Sequence, residues 1–469
     1  MSSKSRFSET FAMLHVILTL SVPTMLEQLL QTAVQYIDTA MVGSLGTHAT
    51  AAVGATTTVN WLISSTISAI GVGFLAFISQ SFGAGNKEKA RKAAAQAVTA
   101  VIAVGILFTV LTISLSGAIP VWMRVDPEIQ GMASRYFLIL YIPMLFRTAS
   151  IIFGTVLRAS GDTKTPMQVG IIVNLINIAL NFLLIYPTRT ITIFGNSFVV
   201  KGAGLGIEGA AAASAVSYIF GGIAITVMLW KHKEISPKGK SIRPDMSVLK
   251  PCLRVAFPNM LQRFATSLGY VAFASIINAL GETATAAHTI ANTVESLFYI
   301  PGYGMQTAAA ALSGNAYGAG DKNRLKRLSK TIIPLEVGLM IISGGLLFIF
   351  APELMKLFSK DSEVISLGAA VLCMVAVSEP FYGVPIVIEG MMQGQGKTVA
   401  PFIFNVLGMW CVRIVGTFIC TNYFGGGLKS AWGCMIAHNL LLFILFTAYF
   451  TITNLRSRDN DTKQLVRQD

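Results

Sequence analysis

QSFGAGNKEKARK (80–92) lies between two long apolar runs, and NAYGAGDKNRLKR (315–327) writes the same pattern again. Gly83, Gly85 and Lys87 return as Gly318, Gly320 and Lys322, 235 residues later (318 − 83). The same offset aligns Pro23 with Pro258, Met25 with Met260, Leu45 with Leu280, Gly46 with Gly281, Gly161 with Gly396 and Pro166 with Pro401. No gap is needed from Pro23 to Pro166, so the chain carries an internal duplication. Past that point the offset falls to 221 (Ala210 with Ala431), because the first half has an insertion. That insertion, TRTITIFGNSFVV (188–200), alternates around Gly195–Asn196 and reads as a β-hairpin outside the membrane.

The duplicated unit is apolar. Of 469 residues, 53% are hydrophobic and only 12% charged, with mean hydropathy +0.64. Soluble domains carry about 25% charged residues. Runs such as VTAVIAVGILFTVLTISLSGAI (98–119) and VGIIVNLINIALNFLLIY (169–186) are near the ~20 residues that span a bilayer. Twelve segments are expected, near 12–44, 48–80, 92–119, 129–158, 164–187, 207–230, 249–280, 283–314, 329–351, 363–393, 398–423 and 428–454. The fold class is therefore an all-α polytopic membrane protein. Six segments per half is an even number, so the halves share one orientation and form a parallel repeat about an axis along the membrane normal. The expected division is a lobe over 1–230, a linker over 231–248 and a second lobe with a tail over 249–469. Halves that rock against each other would place a substrate path on the pseudo-axis.

A net charge of +13 raises the question of nucleic acid, but the distribution of the 35 Lys and Arg answers it. Most fall in alternate loops and in both termini, which the positive-inside rule assigns to the cytoplasm. The strongest basic block, WKHKEISPKGKSIRP (230–244), is the longest polar linker. No nucleic-acid partner is expected. The start lacks a small-residue cleavage motif and its apolar run continues to Gly43, so it reads as an uncleaved first helix. The five cysteines show no metal spacing; Cys420 and Cys434 lie near the ends of adjacent segments, within reach of a disulfide.

YIDTAMVGSLG (36–46), the two GAG[ND]K loops, and LRASGDTKTP (157–166) with its echo MQGQGKTVAP (392–401) resemble the multidrug and toxic compound extrusion (MATE) transporters. The resemblance covers nearly the whole chain. It implies a 6+6 bundle with a V-shaped cavity, located in the cytoplasmic (inner) membrane. It also implies export of small organic molecules in exchange for H⁺ or Na⁺, by a monomer among membrane lipids.

Polar residues inside the spans are costly and mark candidate sites. Gln28, Gln31, Gln35 and Asp38 recur at spacings that place them on one face of the first helix. The glutamines suit either a cavity lining or an interhelical seam. Asp38 matches the family's first-helix acid, and a carboxyl there can cycle between protonated and ionised forms. In NLINIALN (174–181), Asn174, Asn177 and Asn181 share a face. Some MATE branches carry an Asn and then an Asp at the positions of Asn177 and Asn181, and Ser214 matches a sixth-helix hydroxyl. Asp38, Asn177, Asn181 and Ser214 are thus the expected coupling set, with amide packing as the alternative. Another branch's coupling acids fall at Thr266 and Tyr382 and are absent.

The second half instead has Arg263, Glu295, Glu379 and Arg413 near mid-span, with Arg147 in the first half. Buried charges pair, so Glu295 and Glu379 are expected to neutralise two arginines. The alternative is a substrate cavity lined by these residues with Tyr382, and it admits anionic or zwitterionic substrates. His288 and His438 read as interior residues.

EGMMQGQGKT (389–398) fails the phosphate-loop spacing and follows a helix. No catalytic or metal-binding motif appears, so no enzyme and no cofactor beyond the coupling ion are expected. The alternative function is a lipid-linked oligosaccharide flippase of the same superfamily.

Overall fold

The computed structural model describes residues 3–193 and 196–465. In chain order the elements are α1 (Ser3–Gly43), α2 (Thr47–Gly83), α3 (Lys87–Leu115), α4 (Ala118–Trp122), α5 (Pro127–Tyr141), α6 (Met144–Ala159) and α7 (Lys164–Leu184). Next come β1 (Pro187–Ile193), β2 (Asn196–Ala203), α8 (Gly206–Lys231), α9 (Met246–Asn278), α10 (Glu282–Phe298), α11 (Ile300–Gly318) and α12 (Lys322–Lys356). The last are α13 (Ser362–Ala376), α14 (Glu379–Gly394), α15 (Val399–Leu407), a π-helical turn (Gly408–Ile414), α16 (Val415–Asn422) and α17 (Leu428–Leu465).

Among the described residues, 9 single helices are long and apolar enough to cross a membrane, and two bent pairs raise the number to 11. The pairs are α5–α6, bent by 51°, and α13–α14, bent by 55°. The remaining expected span, 283–314, is α10 followed by α11. It is poor in large apolar residues because α11 is mostly small side chains packed inside the protein, among them buried Ala308, Ala309, Ala310 and Gly304.

The duplication is exact to the residue in the backbone. Adding 235 to the ends of α1, α2 and α5 gives the ends of α9, α11 and α13, and to the starts of α6 and α7 the starts of α14 and α15. Gly46 and Gly281 take φ of 107° and 105°, and Gly85 and Gly320 take 71° and 67°. These are left-handed values that a Cβ disfavours, which explains why glycine returns in each copy. Asn86 and Asp321 then cap α3 and α12, each accepting a 2.8 Å bond from the backbone N–H three residues on. The copies diverge at Tyr299, which interrupts α10 and α11 just before Pro301; the matching Ser64 and Thr66 lie within unbroken α2.

Two compact units emerge. One is Val22–Ala256; the other starts at Phe257 and includes the beginning of α1. Their boundaries therefore fall inside α1 and α9, one residue before Pro23 and Pro258.

In the first unit the ends of α1, α2, α5, α7 and α8 share a small core of Val42, Ala49, Ala52, Ala133, Ile185 and Ile207. The insertion is an antiparallel hairpin, pairing Arg189 with Val200 and Thr190 with Val199. Gly195, on which its alternation centres, lies outside the described residues. The basic linker is laid along α3. Gln96 donates to the carbonyls of Arg243 (2.8 Å) and Ser241 (3.3 Å) and accepts from the Asp245 N–H (2.9 Å). Lys87 bonds Glu234 at 2.6 Å, while Lys92 pairs with Asp245 and Lys240 with Glu88.

In the second unit, α9, α10, α12, α13 and α17 enclose a core that includes Phe273, Ile277, Ala287, Leu347, Leu372 and Trp432. Gly390 and Gly394, four apart on α14, lie where a Cβ would meet the carbonyls of Gln306 (2.4 Å) and Ala310 (1.9 Å) on α11. That is the small-xxx-small route to close helix packing in a membrane.

Candidate functional site

In the first unit, α1, α7 and α8 bring four of the expected residues together. Asn181 donates from Nδ2 to Asp38 Oδ1 at 2.5 Å. The same nitrogen lies 3.2 Å from Asn177 Oδ1, and Asn177 reaches Ser214 Oγ at 3.2 Å. With the Asn177 amide turned, its nitrogen donates to both Asp38 oxygens at 3.0 and 3.1 Å, and its oxygen accepts from Ser214. Amide oxygen and nitrogen are interchangeable in shape, so this orientation is the one that satisfies both groups. Asn177 and Asn181 are buried, Asp38 and Ser214 partly so. Among the described residues, Asn181 Oδ1 has no hydrogen-bond partner. The cluster offers one carboxylate and three neutral oxygen-bearing side chains, the donor set for a proton or a small hard cation. On the same helix as Asp38, Gln28 is partly buried while Gln31 and Gln35 are exposed.

Arg147 on α6 is held without a carboxylate. It donates to Asn60 Oδ1 and Ser64 Oγ, each at 2.6 Å, and lies over the Tyr218 ring at 4.8 Å. Sequence reasoning missed an ion pair within the spans of this unit: Arg158 bonds both Glu27 oxygens at 2.6 Å. Their repeat partners at +235 are Gln262 and Gln393, a difference visible in the sequence once the offset is applied. In the second unit both glutamines donate to Glu389 Oε1 at 2.9 Å, with Asn405 on Oε2 at 3.2 Å. An ion pair in one copy has become a carboxylate caged by three amides in the other.

The expected pairing of Glu295 and Glu379 with arginines is not found. Among the described residues neither glutamate forms an ion pair. Arg413, on the π-helical turn, instead lies over the rings of Phe273 (4.2 Å) and Tyr270 (5.0 Å). Arg263 donates to Asn259 at 3.0 Å, one turn back on α9. The reason is the supply of alternatives: aromatic faces and amides accommodate a guanidinium without a carboxylate. Tyr382 shares its hydroxyl with Tyr303 at 3.2 Å and its ring edge-packs on Tyr299. His288 accepts from Trp432 at 3.2 Å, whereas among the described residues neither nitrogen of buried His438 has a hydrogen-bond partner. Cys420 and Cys434 are free thiols with sulfurs 3.8 Å apart.

A helical chain built twice over from membrane-length spans, with ionisable clusters inside each copy, has the build of a membrane transporter. A family model described as MatE matches residues 23–183 and 258–419, one copy per half, and the chain belongs to this family. Its similarity to the probable multidrug resistance protein NorM of Thermotoga maritima is 28% identity over 449 residues, covering 96% of this chain and 94% of that one. The probable multidrug resistance protein YoeA of Bacillus subtilis is 27% identical over 438 residues, with 91% of each chain covered. Among solved structures, an outward-facing multidrug resistance MATE transporter superposes with TM-score 0.87 at 22% identity, over 95% of this chain and 96% of that one. A transporter from Pyrococcus furiosus, whose title reports reversed polarity of its binding pocket, gives 0.84 at 23% over 94% and 95%. These likenesses concern the fold.

Proposed function

We propose that this chain is a secondary antiporter that exports small organic molecules, driven by H⁺ or Na⁺ entering at Asp38. The observation that carries this reading is the Asp38–Asn181–Asn177–Ser214 cluster, where a single carboxylate meets amide and hydroxyl groups inside one unit. Loading a proton or cation there removes about one charge from a low-dielectric pocket. Helix α1 can then repack, and a ligand that favours one packing shifts the population of transport states. The names of its relatives favour a multidrug range. The arginines without carboxylate partners, Arg147 and Arg413, favour substrates that carry negative charge along with an aromatic or apolar body. Membership in the family supports placement in the cytoplasmic membrane, and both termini are assigned to the cytoplasm from loop charge. Gln28, Gln31, Gln35, Arg263, Glu295, Glu379 and Tyr382 remain candidate cavity residues.

The test is efflux from proteoliposomes under separately imposed pH and Na⁺ gradients, with dyes and fluoroquinolones as substrates. Acceleration by one gradient, abolished in Asp38→Asn, supports the reading. The same arginines are what favours the second reading, a flippase for lipid-linked oligosaccharides. It would show as translocation of a fluorescent polyprenyl-phosphate glycolipid by a protein that leaves dye efflux unchanged.

A further inference from the structure

Buried in the second unit are two carboxyl groups that nothing in the coupling scheme uses. Glu336 on α12 is 0% exposed and Glu379 at the start of α14 is 1% exposed. All four of their oxygens lack a hydrogen-bond partner, and neither group forms an ion pair among the described residues. The same unit surrounds another buried carboxyl with donors: Glu389 receives three amide hydrogen bonds. Glu336 receives none. A buried anion without donors or a counter-ion is far too costly to persist.

The room for Glu336 is built. A Cβ at Gly302 on α11 would stand 2.9 Å from its Oε1, and one at Gly383 on α14 would stand 2.7 Å away. At Gly344 a Cβ would press on the Glu379 side chain at 3.2 Å. The first copy differs at these positions. At the repeat positions it carries Val101 for Glu336, Met144 for Glu379, Asn60 for Glu295, Ile67 for Gly302 and Thr148 for Gly383. Acids and the glycines that admit them therefore appear together, in the second copy alone. The helices packed on α12 and α14 carry the ionisable groups Glu295 on α10, Tyr299 at the α10–α11 junction and Tyr303 on α11, and Tyr382 lies on α14 itself.

We propose that Glu336 and Glu379 form a proton-holding pair, so that the second unit carries its own dissociable protons apart from Asp38. This goes beyond the coupling reading and does not depend on it. The experiment is infrared spectroscopy of the purified protein at neutral pH, comparing unlabelled wild type with wild type whose glutamates carry carboxyl ¹³C. A protonated-acid carbonyl band that shifts with the glutamate label is expected, which separates it from Asp38. Glu336→Gln and Glu379→Gln should each remove part of that band while melting near the wild-type temperature, since glutamine copies a neutral acid. The absence of any label-sensitive acid band in wild type overturns the proposal, whatever the transport assay gives. So does a Glu336→Gln difference spectrum that shows loss of an ionised carboxylate.

Discussion

Asn181 Nδ2 lies 2.5 Å from Asp38 Oδ1, tying α7 to α1 at the one carboxylate of the first-unit cluster. In relatives with two acids, the position of Asn181 is itself acidic. Asn181→Asp should therefore raise affinity for a small cation and strengthen Na⁺ dependence, read as the Na⁺ concentration that gives half-maximal efflux. Asn181→Ala removes the donor and should weaken whichever ion drives transport without preventing expression.

Glu27 and Arg158 are only 20% and 16% exposed at the side chain. Removing one partner strands the other, a loss of about 3–5 kcal/mol for a buried pair. Glu27→Gln and Arg158→Gln should each lower thermal stability in detergent. The double variant reproduces the Gln262 and Gln393 of the second copy, and should recover much of the loss.

The basic linker is held to α3 by three bonds from one side chain, Gln96. At about 1 kcal/mol net per hydrogen bond, Gln96→Ala should free the segment. Trypsin would then cut faster at Lys238 and Lys240, with the rest of the chain as resistant as before.

Asp245, at the end of that linker, is bonded by the Lys92 ammonium and by Ser247, which hold its carboxyl down to about 2. A depressed carboxyl stabilises the docked linker at pH above the unfolded value of about 3.9, and that contribution is lost as pH falls through about 2. Hydrogen exchange over residues 241–247, corrected for intrinsic rates, should accelerate in that acid window. Asp245→Asn should show the faster exchange already at pH 7.

The spans and the duplication were legible because hydropathy and a constant offset survive in any six-helix copy. The turns followed too, since Gly46, Gly85 and their partners need left-handed backbone. The break at Tyr299 was not foreseen, because Pro301 inside an apolar run reads equally well as a kink. Within the site, helical spacing placed Asn177 and Asn181 on one face, and the family likeness put Asp38 with them. Partners across helices were harder. Glu336 was missed because KTIIPLEVGLMII offers one acid with no polar neighbour to mark it. Glu295 and Glu379 were assigned to arginines by the rule that buried charges pair, and the rule failed because rings and amides hold Arg147 and Arg413 instead.

The most direct test of the coupling account is the initial rate of substrate efflux in proteoliposomes, wild type against Asp38→Asn, with the same gradient imposed. The account predicts that the wild type responds to a pH or Na⁺ gradient, and that Asp38→Asn folds normally, still binds substrate and shows no gradient response. An Asp38→Asn protein that responds to the gradient at the wild-type rate would contradict it.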